Sequence, residues 1–215
     1  MENQITATQL SLPKGGGAIQ GIGETFQASE FTGTASLSIP IGTSSCRGFE
    51  PKISVDYSSG SGNGSFGLGF NLSIPNISRK TSKGLPQYDG SDTFIIFNGD
   101  DLVPIVGGKR EAIANNIKYT VISYRPRTEG LFAQIEQWIA PEGDSFWRVV
   151  SSDNVTSIFG KTENSRIFAP EKPRHIFEWL LSETFNASGD RVVYEYKSEN
   201  IDNVPNDLCE RSEEH

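Results

Sequence analysis

Apolar and polar residues alternate along most of this chain with a period of two. Lys52–Tyr57 places Ile53, Val55 and Tyr57 on one side and Ser54 and Asp56 on the other. Thr34–Ile41 alternates through Ala35, Leu37, Ile39 and Ile41, and Pro40, which has no N–H, suits a strand end or a sheet edge. Phe66, Leu68 and Phe70 repeat the pattern in Phe66–Ile74, with Gly67 and Gly69 between them. Alternation bounded by turn residues predicts half-buried β-strands. SSGSGNGS between two of these runs predicts a turn, because glycine adopts positive φ at little cost.

Further along, SRKTSKGLPQYDGSD is polar and reads as a loop. Thr93–Phe97, Asn98-Gly99-Asp100-Asp101 and Leu102–Val106 read as a hairpin around an Asn-Gly turn signal. Residues 107–116, GGKREAIANN, fit either a loop or one helical turn. IKYTVISYR, GLFAQIEQWIA, SFWRVVSS and VTSIFGK follow, separated at Gly130, Pro141, Gly143 and Gly160. Leu131–Ala140 has helix-favouring residues, but its strand neighbours and partial alternation favour a strand. RIFAP, HIFEWLLSETFN, a turn over Ala187–Asp190 and a strand over Arg191–Tyr196 complete the pattern, with a helical turn over Glu178–Glu183 as an alternative.

The fold expected is therefore all-β: many short antiparallel strands joined by Gly/Ser/Asn/Pro turns, wound as a shell or packed like a sandwich, with little helix. Residues 1–25 are expected as an N-terminal arm, 26–200 as the β domain and 201–215 as a polar tail. At 215 residues the chain is long enough for a sizeable core. Its 22 glycines and 35% hydrophobic content suit turn-rich β structure better than a helical bundle.

The net charge of −8 argues against a nucleic-acid partner. No apolar run approaches the ~18 residues of a membrane-spanning helix, so no membrane insertion is expected. The N-terminus has neither a basic start nor an apolar stretch, so it does not read as a classical secretory signal, and export from the cell, if it occurs, is expected by a non-classical route. Cys46 and Cys209 are too far apart in sequence for a disulfide framework or a metal spacing, and are expected as free thiols.

Several segments invite a chemical reading. Lys14-Gly15-Gly16-Gly17 lacks the strand, helix and closing Lys-Ser/Thr of a phosphate loop. His175 has no ligand-spaced partner and no nucleophile. Asp89, Asp92, Asp100 and Asp101 do not follow calcium-loop spacing and are expected to serve turns, while Glu24 with Asp100 and Asp101 establishes no glycosidase dyad. Trp138, Trp147 and Trp179 fit a carbohydrate platform or, more simply, a core. The arginines of Tyr124–Gly130 are expected to pair with carboxylates on neighbouring strands. Catalytic, cofactor-binding and metal-binding residues are accordingly expected to be none, with no cofactor and no enzyme activity.

The ordered segments from GGGAIQGIGETFQASEF through FNGDDLVPI, then YRPRTEGLFAQIEQW, FWRVVSSDNVTSIFGK, SRIFAP and FEWLLSETFNASGDRVVYEYKSEN, resemble the N-terminal region of the Salmonella virulence plasmid B protein family. That region is shared with the B components of bacterial Tc insecticidal toxin complexes. The resemblance covers residues 10 to 205. It implies a non-enzymatic scaffold contributing strands to a hollow B–C shell around a toxic cargo. The implied partners are an RHS-repeat C component and the pore-forming A component. Phe185–Tyr196 is also similar to an RHS/YD repeat, with Phe185 where that repeat carries Tyr. Nothing in the chain resembles the propeller of full B components. The Ser-Thr-Ser and Glu-x-Glu motifs of the family's transferase have no counterpart, Glu195-Tyr196-Lys197 included. Two other readings remain: a delivery module of an ADP-ribosyltransferase toxin without its catalytic domain, and a carbohydrate-binding β domain.

Overall fold

The computed structural model describes residues 25–28, 33–64, 66–82, 84–97, 99–128 and 132–197. Apart from Thr25, the expected arm lies outside these residues, as does the expected tail. So do Glu24, Cys209 and the glycine run beside Lys14. Within the described chain two compact units separate, one formed by residues up to Thr43 with Lys52–Ser73, the other by Ser44–Pro51 with the residues from Ile74.

The first unit is a sheet of β1 (Thr25–Ala28), β2 (Ala35–Ile41), β3 (Ile53–Ser58) and, after a small hairpin of β4 (Asn63–Gly64) and β5 (Gly67–Leu68), β6 (Phe70–Leu72). The sheet order is β1-β2-β3-β6, antiparallel throughout. The expected strand over Phe66–Ile74 is thus broken. Gly69, at φ +83°, interrupts it where a Cβ would fall 2.6 Å from the Tyr57 ring. Phe66 and Leu68 are left exposed, while Phe70 packs on Tyr57 with ring centroids 4.8 Å apart.

The second unit contains β7 (Asn76–Arg79), β8 (Phe94–Ile96), β9 (Asp100–Ala114), β10 (Ile117–Pro126), β11 (Ala133–Ile139), β12 (Ser145–Ser151), β13 (Thr156–Phe159), β14 (Arg166–Ala169), β15 (Lys172–Phe185) and β16 (Arg191–Val193). The path β13-β12-β11-β10-β9-β8-β7-β15 is closed by pairing of β13 with β15, which makes an eight-strand barrel. β14 and β16 flank the two halves of β15. Closure satisfies both edges of most strands.

The expected hairpin over Thr93–Val106 is present as β8 and β9. The strands favoured over Leu131–Ala140 and read in SFWRVVSS and VTSIFGK are present as β11, β12 and β13. Other expectations need correction. SRKTSKGLPQYDGSD is not all loop, because Ser78 and Arg79 end β7. Residues 107–116 hold no helical turn and are not all loop: past a bulge that includes Gly107-Gly108, β9 runs through Ala114 and reverses at Asn115-Asn116. Both asparagines have positive φ, +50° and +61°, which a tight type I′ turn requires and asparagine tolerates. Glu178–Glu183 is extended within β15, and the last strand spans three residues rather than Arg191–Tyr196.

The barrel interior is packed solid. Phe94 lies 5.0 Å from Trp147, 5.7 Å from Trp179 and 5.9 Å from Tyr124 by ring centroids, mostly edge to face. Ile77, Ile96, Ile135 and Phe159 fill the remaining space at 1% exposure or less. Each large aromatic buries ~200 Å², a gross gain of about 5 kcal/mol at ~25 cal/mol per Å². An eight-strand barrel has an interior that side chains just fill. This one is a core and not a conduit.

Candidate functional site

Three polar arrangements stand out against this scaffold, one inside the barrel and two outside. Inside, alternation along β7 turns Ile77 and Arg79 toward the core. Arg79 Nη1 lies 2.6 Å from Asp92 Oδ2, and Nε donates to the Ile176 carbonyl at 2.7 Å. The guanidinium also faces the Tyr88, Phe94 and Trp179 rings, 4.9, 5.2 and 5.5 Å from their centroids. Burial pushes the Arg79 guanidinium below its ordinary value, and Asp92 opposes that shift. Asp92 also accepts the backbone N–H groups of Gln87 and Tyr88 at 2.9 and 2.7 Å. The loop between β7 and β8 is thereby pinned to the barrel by one carboxylate.

His175 is part of the same corner. Its ring stacks on Tyr88 with centroids 4.4 Å apart. The aspartates weighed as a calcium set do not converge. Asp89 accepts from Ser91, Asp92 serves Arg79, and Asp101 binds Lys80 and Arg127. Among the described residues no three metal-ligating side chains form a cluster. Arg127 pairs with a carboxylate of a neighbouring strand, Asp101 on β9, as expected of its segment. Cys46 is free and exposed. No helix among the described residues is long and apolar enough to cross a membrane.

Outside, antiparallel register aligns Ser123, Glu136, Arg148, Ile158, Glu183 and Val193 in one row across β10, β11, β12, β13, β15 and β16. The next row holds Arg110, Val121, Trp138 and Phe146. Glu136 is only 1% exposed although it lies on the outer face. It accepts from Arg110 at 2.9 Å, Gln134 at 2.7 Å and Trp138 Nε1 at 3.1 Å, with Arg148 at 3.7 Å. Trp138 is enclosed between Phe146, stacked at 5.7 Å, and the Arg110 guanidinium, 5.5 Å from its ring centroid. Glu183 repeats the arrangement between Lys161, at 2.6 Å, and Arg191. Burial works to raise both carboxyls, but their hydrogen bonds and cationic neighbours outweigh it and hold both below the usual carboxylate value.

These depressed carboxyls carry a pH signature. A carboxyl lowered on folding contributes stability that is present above its unfolded value and lost as pH falls through the folded one. Glu136→Gln is expected to cost about 2 kcal/mol near neutral pH. The gap to the parent chain should close as pH drops below the ordinary value of 4.5. Urea unfolding of both chains at pH 7, 5 and 3.5 measures this, and a gap that does not change with pH would contradict the assignment. Glu178, which burial raises against an Asn76 hydrogen bond, has the opposite sign but is common to both chains and cancels.

The sequence expectations brought neither outer carboxylate nor Arg79 to notice. Gln134, Glu136 and Trp138 share one face by alternation, which was the available signal for Glu136. Its burial depends on Arg110, 26 residues earlier in the chain. The three tryptophans are divided by the same alternation. Trp147 and Trp179 are fully buried, and only Trp138 faces outward.

A packed, closed barrel with ion-paired outer rows is an all-β structural scaffold. Residues 29–215 match the family described as Salmonella virulence plasmid 65kDa B protein, and the chain belongs to this family. It is 36% identical over 208 residues to the mono(ADP-ribosyl)transferase SpvB of Salmonella choleraesuis strain SC-B67, covering 92% of this chain and 34% of that protein. Against the Salmonella typhimurium 14028s protein of the same name it is 36% identical over 204 residues, covering 90% and 33%. The chain thus spans about a third of these curated relatives. Among solved structures, TcdB2-TccC3 matches with TM-score 0.79 at 35% identity over 91% of this chain and 10% of that one. The Photorhabdus luminescens Tc holotoxin pore matches at 0.79 and 34% identity, over 93% and 10%. The N-terminal domain of effector protein SpvB from Salmonella typhimurium LT2 matches at 0.70 and 36% identity, over 78% and 56%. The chain is an all-β N-terminal segment of the type these proteins share.

Proposed function

We propose that this chain acts as a non-enzymatic structural segment of a Tc-type toxin B component, helping to build the hollow shell that encloses and delivers a toxic cargo. The observation that carries this reading is the match to TcdB2-TccC3 over 91% of the chain at TM-score 0.79. The solid interior supports a wall or buttress role, since an unfolded cargo has no path through the barrel. The partners on this reading are an RHS-repeat C component and a pore-forming A component, met outside the cell after non-classical release. The β15–β16 hairpin fits the RHS-like strand, turn and strand: Asn186 Oδ1 accepts from the Ser188 and Asp190 N–H groups, and Gly189 takes φ +89°.

A second reading is favoured by the curated relatives. Each is a mono(ADP-ribosyl)transferase, so the chain would be the delivery module of such a toxin. A tagged chain recovered from its native lysate, with its companions identified by mass spectrometry, separates the two. The Tc reading expects an RHS-repeat protein. Recovery of an ADP-ribosyltransferase polypeptide without any RHS-repeat protein would favour the second reading, and recovery of chaperones alone would defeat both.

A further inference from the structure

Among the described residues a long edge of β9 has no strand paired to it. β8 pairs with β9 only at Asp100–Leu102, whereas β9 continues to Ala114 along β10. Among the described residues no backbone hydrogen bond reaches the other side of Val103–Ala114. The first part of this edge is self-protected. Pro104 has no N–H, and Ile105–Gly108 loops out opposite Ser123, with Gly107 at φ +77°. Lys109–Ala114 is regular.

The turn fixes which groups point outward. Ala114 and Ile117 close a two-residue turn and therefore exchange both backbone hydrogen bonds. Alternation makes Ala112/Tyr119 and Arg110/Val121 the next bonded pairs. The N–H and C=O groups of Lys109, Glu111 and Ile113 then face away from β10. Two of the edge's charges are engaged on the sheet, Arg110 with Glu136 and Glu111 with Lys118, each at 2.9 Å, while Lys109 is exposed at the start of the edge. Ile113 is 77% exposed beside it, and Val106 and Ile117 are exposed at the two ends. An open edge flanked by exposed apolar residues is a template for strand addition, with the charge of Lys109 confined to one end.

We propose that Lys109–Ile113 of β9 is a strand-addition site, completed by an extended, partly apolar β-strand from elsewhere in the larger toxin polypeptide. The occupant is argued from length: this chain accounts for 10% of the TcdB2-TccC3 chain and about a third of the curated relatives. The inference rests on the Tc reading above.

Amide hydrogen exchange tests it. In the isolated chain, the amides of Arg110, Ala112 and Ala114 should be protected and those of Lys109, Glu111 and Ile113 should exchange fast. In a chimera carrying this chain in place of the matching part of TcdB2 within TcdB2-TccC3, the outward amides should slow by about 100-fold or more. Glu111→Pro, which removes an outward donor and no bond to β10, should lower the yield of assembled chimera by about tenfold, and Glu111→Thr should leave it unchanged. Outward amides that stay fast in an assembled chimera overturn the edge assignment and leave the Tc reading standing. Protection that rises with concentration in the isolated chain overturns it in favour of a second copy as occupant. A chimera that does not assemble overturns the Tc reading, and the edge proposal with it.

Discussion

Trp179→Ala should destabilise the second unit by about 3–5 kcal/mol, the range for truncating a large buried aromatic. Trp179 is fully buried, and its ring meets Phe94 at 5.7 Å and Trp147 at 5.9 Å. Gly160 approaches it so closely that a Cβ there would fall 2.2 Å from Trp179 Cδ1, so little in the wall can move to fill the void. Its Nε1 donates to the Ser145 carbonyl at 2.9 Å, joining β15 to β12. Trp147 is equally buried, but its Nε1 has no partner among the described residues. A pair of phenylalanine replacements separates packing from hydrogen bonding. Trp179→Phe strands the Ser145 carbonyl and should cost more than Trp147→Phe, which removes an unsatisfied donor. Urea midpoints at unchanged slope measure both. Equal losses for the two phenylalanine variants would mean that the Ser145 bond contributes nothing.

Arg79→Met should cost a comparable amount, about 3–5 kcal/mol, because it leaves a buried carboxylate without its cation. The Arg79 and Asp92 side chains are 10% and 7% exposed. Methionine keeps an unbranched apolar side chain but loses the guanidinium that faces Phe94 and Trp179 and donates to the Ile176 carbonyl, so the single variant sums several losses and the cycle with Asp92 isolates the ion pair. The double variant Arg79→Met/Asp92→Asn should recover part of the stability, with a coupling energy of about 1–3 kcal/mol. Asparagine keeps one acceptor oxygen where Asp92 uses two, one for the Gln87 N–H and the other for the Tyr88 N–H, so one of the two bonds that hold the β7–β8 loop is lost and the recovery is partial. Chemical denaturation of the four chains gives the cycle. Additive losses would show that Arg79 serves packing alone.

Both outcomes depend on closure, which no local pattern announces. β13 meets β15 through Ile158 opposite Glu183 and Phe159 opposite Leu181, across a bulge. Period-two alternation identifies such strands one at a time, but it carries no register between segments twenty or more residues apart. It is also weakest where strands are short or polar. β7 is four residues ending in arginine, and its membership of the barrel rests on partners at Ile95, Ile96 and Glu178–Leu180. Phe66 and Leu68 show the converse. Their alternation is regular, yet Gly69 breaks the strand and both side chains stay exposed.

The candidate surface was legible to the same limited degree. Alternation in β11 put Gln134, Glu136 and Trp138 on one face, and the aromatic residues promised a core. Which tryptophans form that core follows from the inward direction of odd-numbered residues in β12 and of Trp179 in β15. The ion pairs Arg110–Glu136 and Lys161–Glu183 of the outer rows join residues 26 and 22 positions apart, and an acidic composition offers many pairings of equal merit in sequence.

The sequence by itself determined that this is a β protein with glycine and asparagine turns, because side-chain alternation and positive-φ tolerance are local properties of the residues. Its ordered segments also carried the family resemblance. The tertiary structure alone decided that eight strands close into a solid barrel, that Arg79 lies inside and Glu136 is buried outside, and that β9 keeps an edge unpaired among the described residues. Those features arise from contacts between distant segments, where the neighbour across the sheet and not the neighbour along the chain sets burial, charge and pairing.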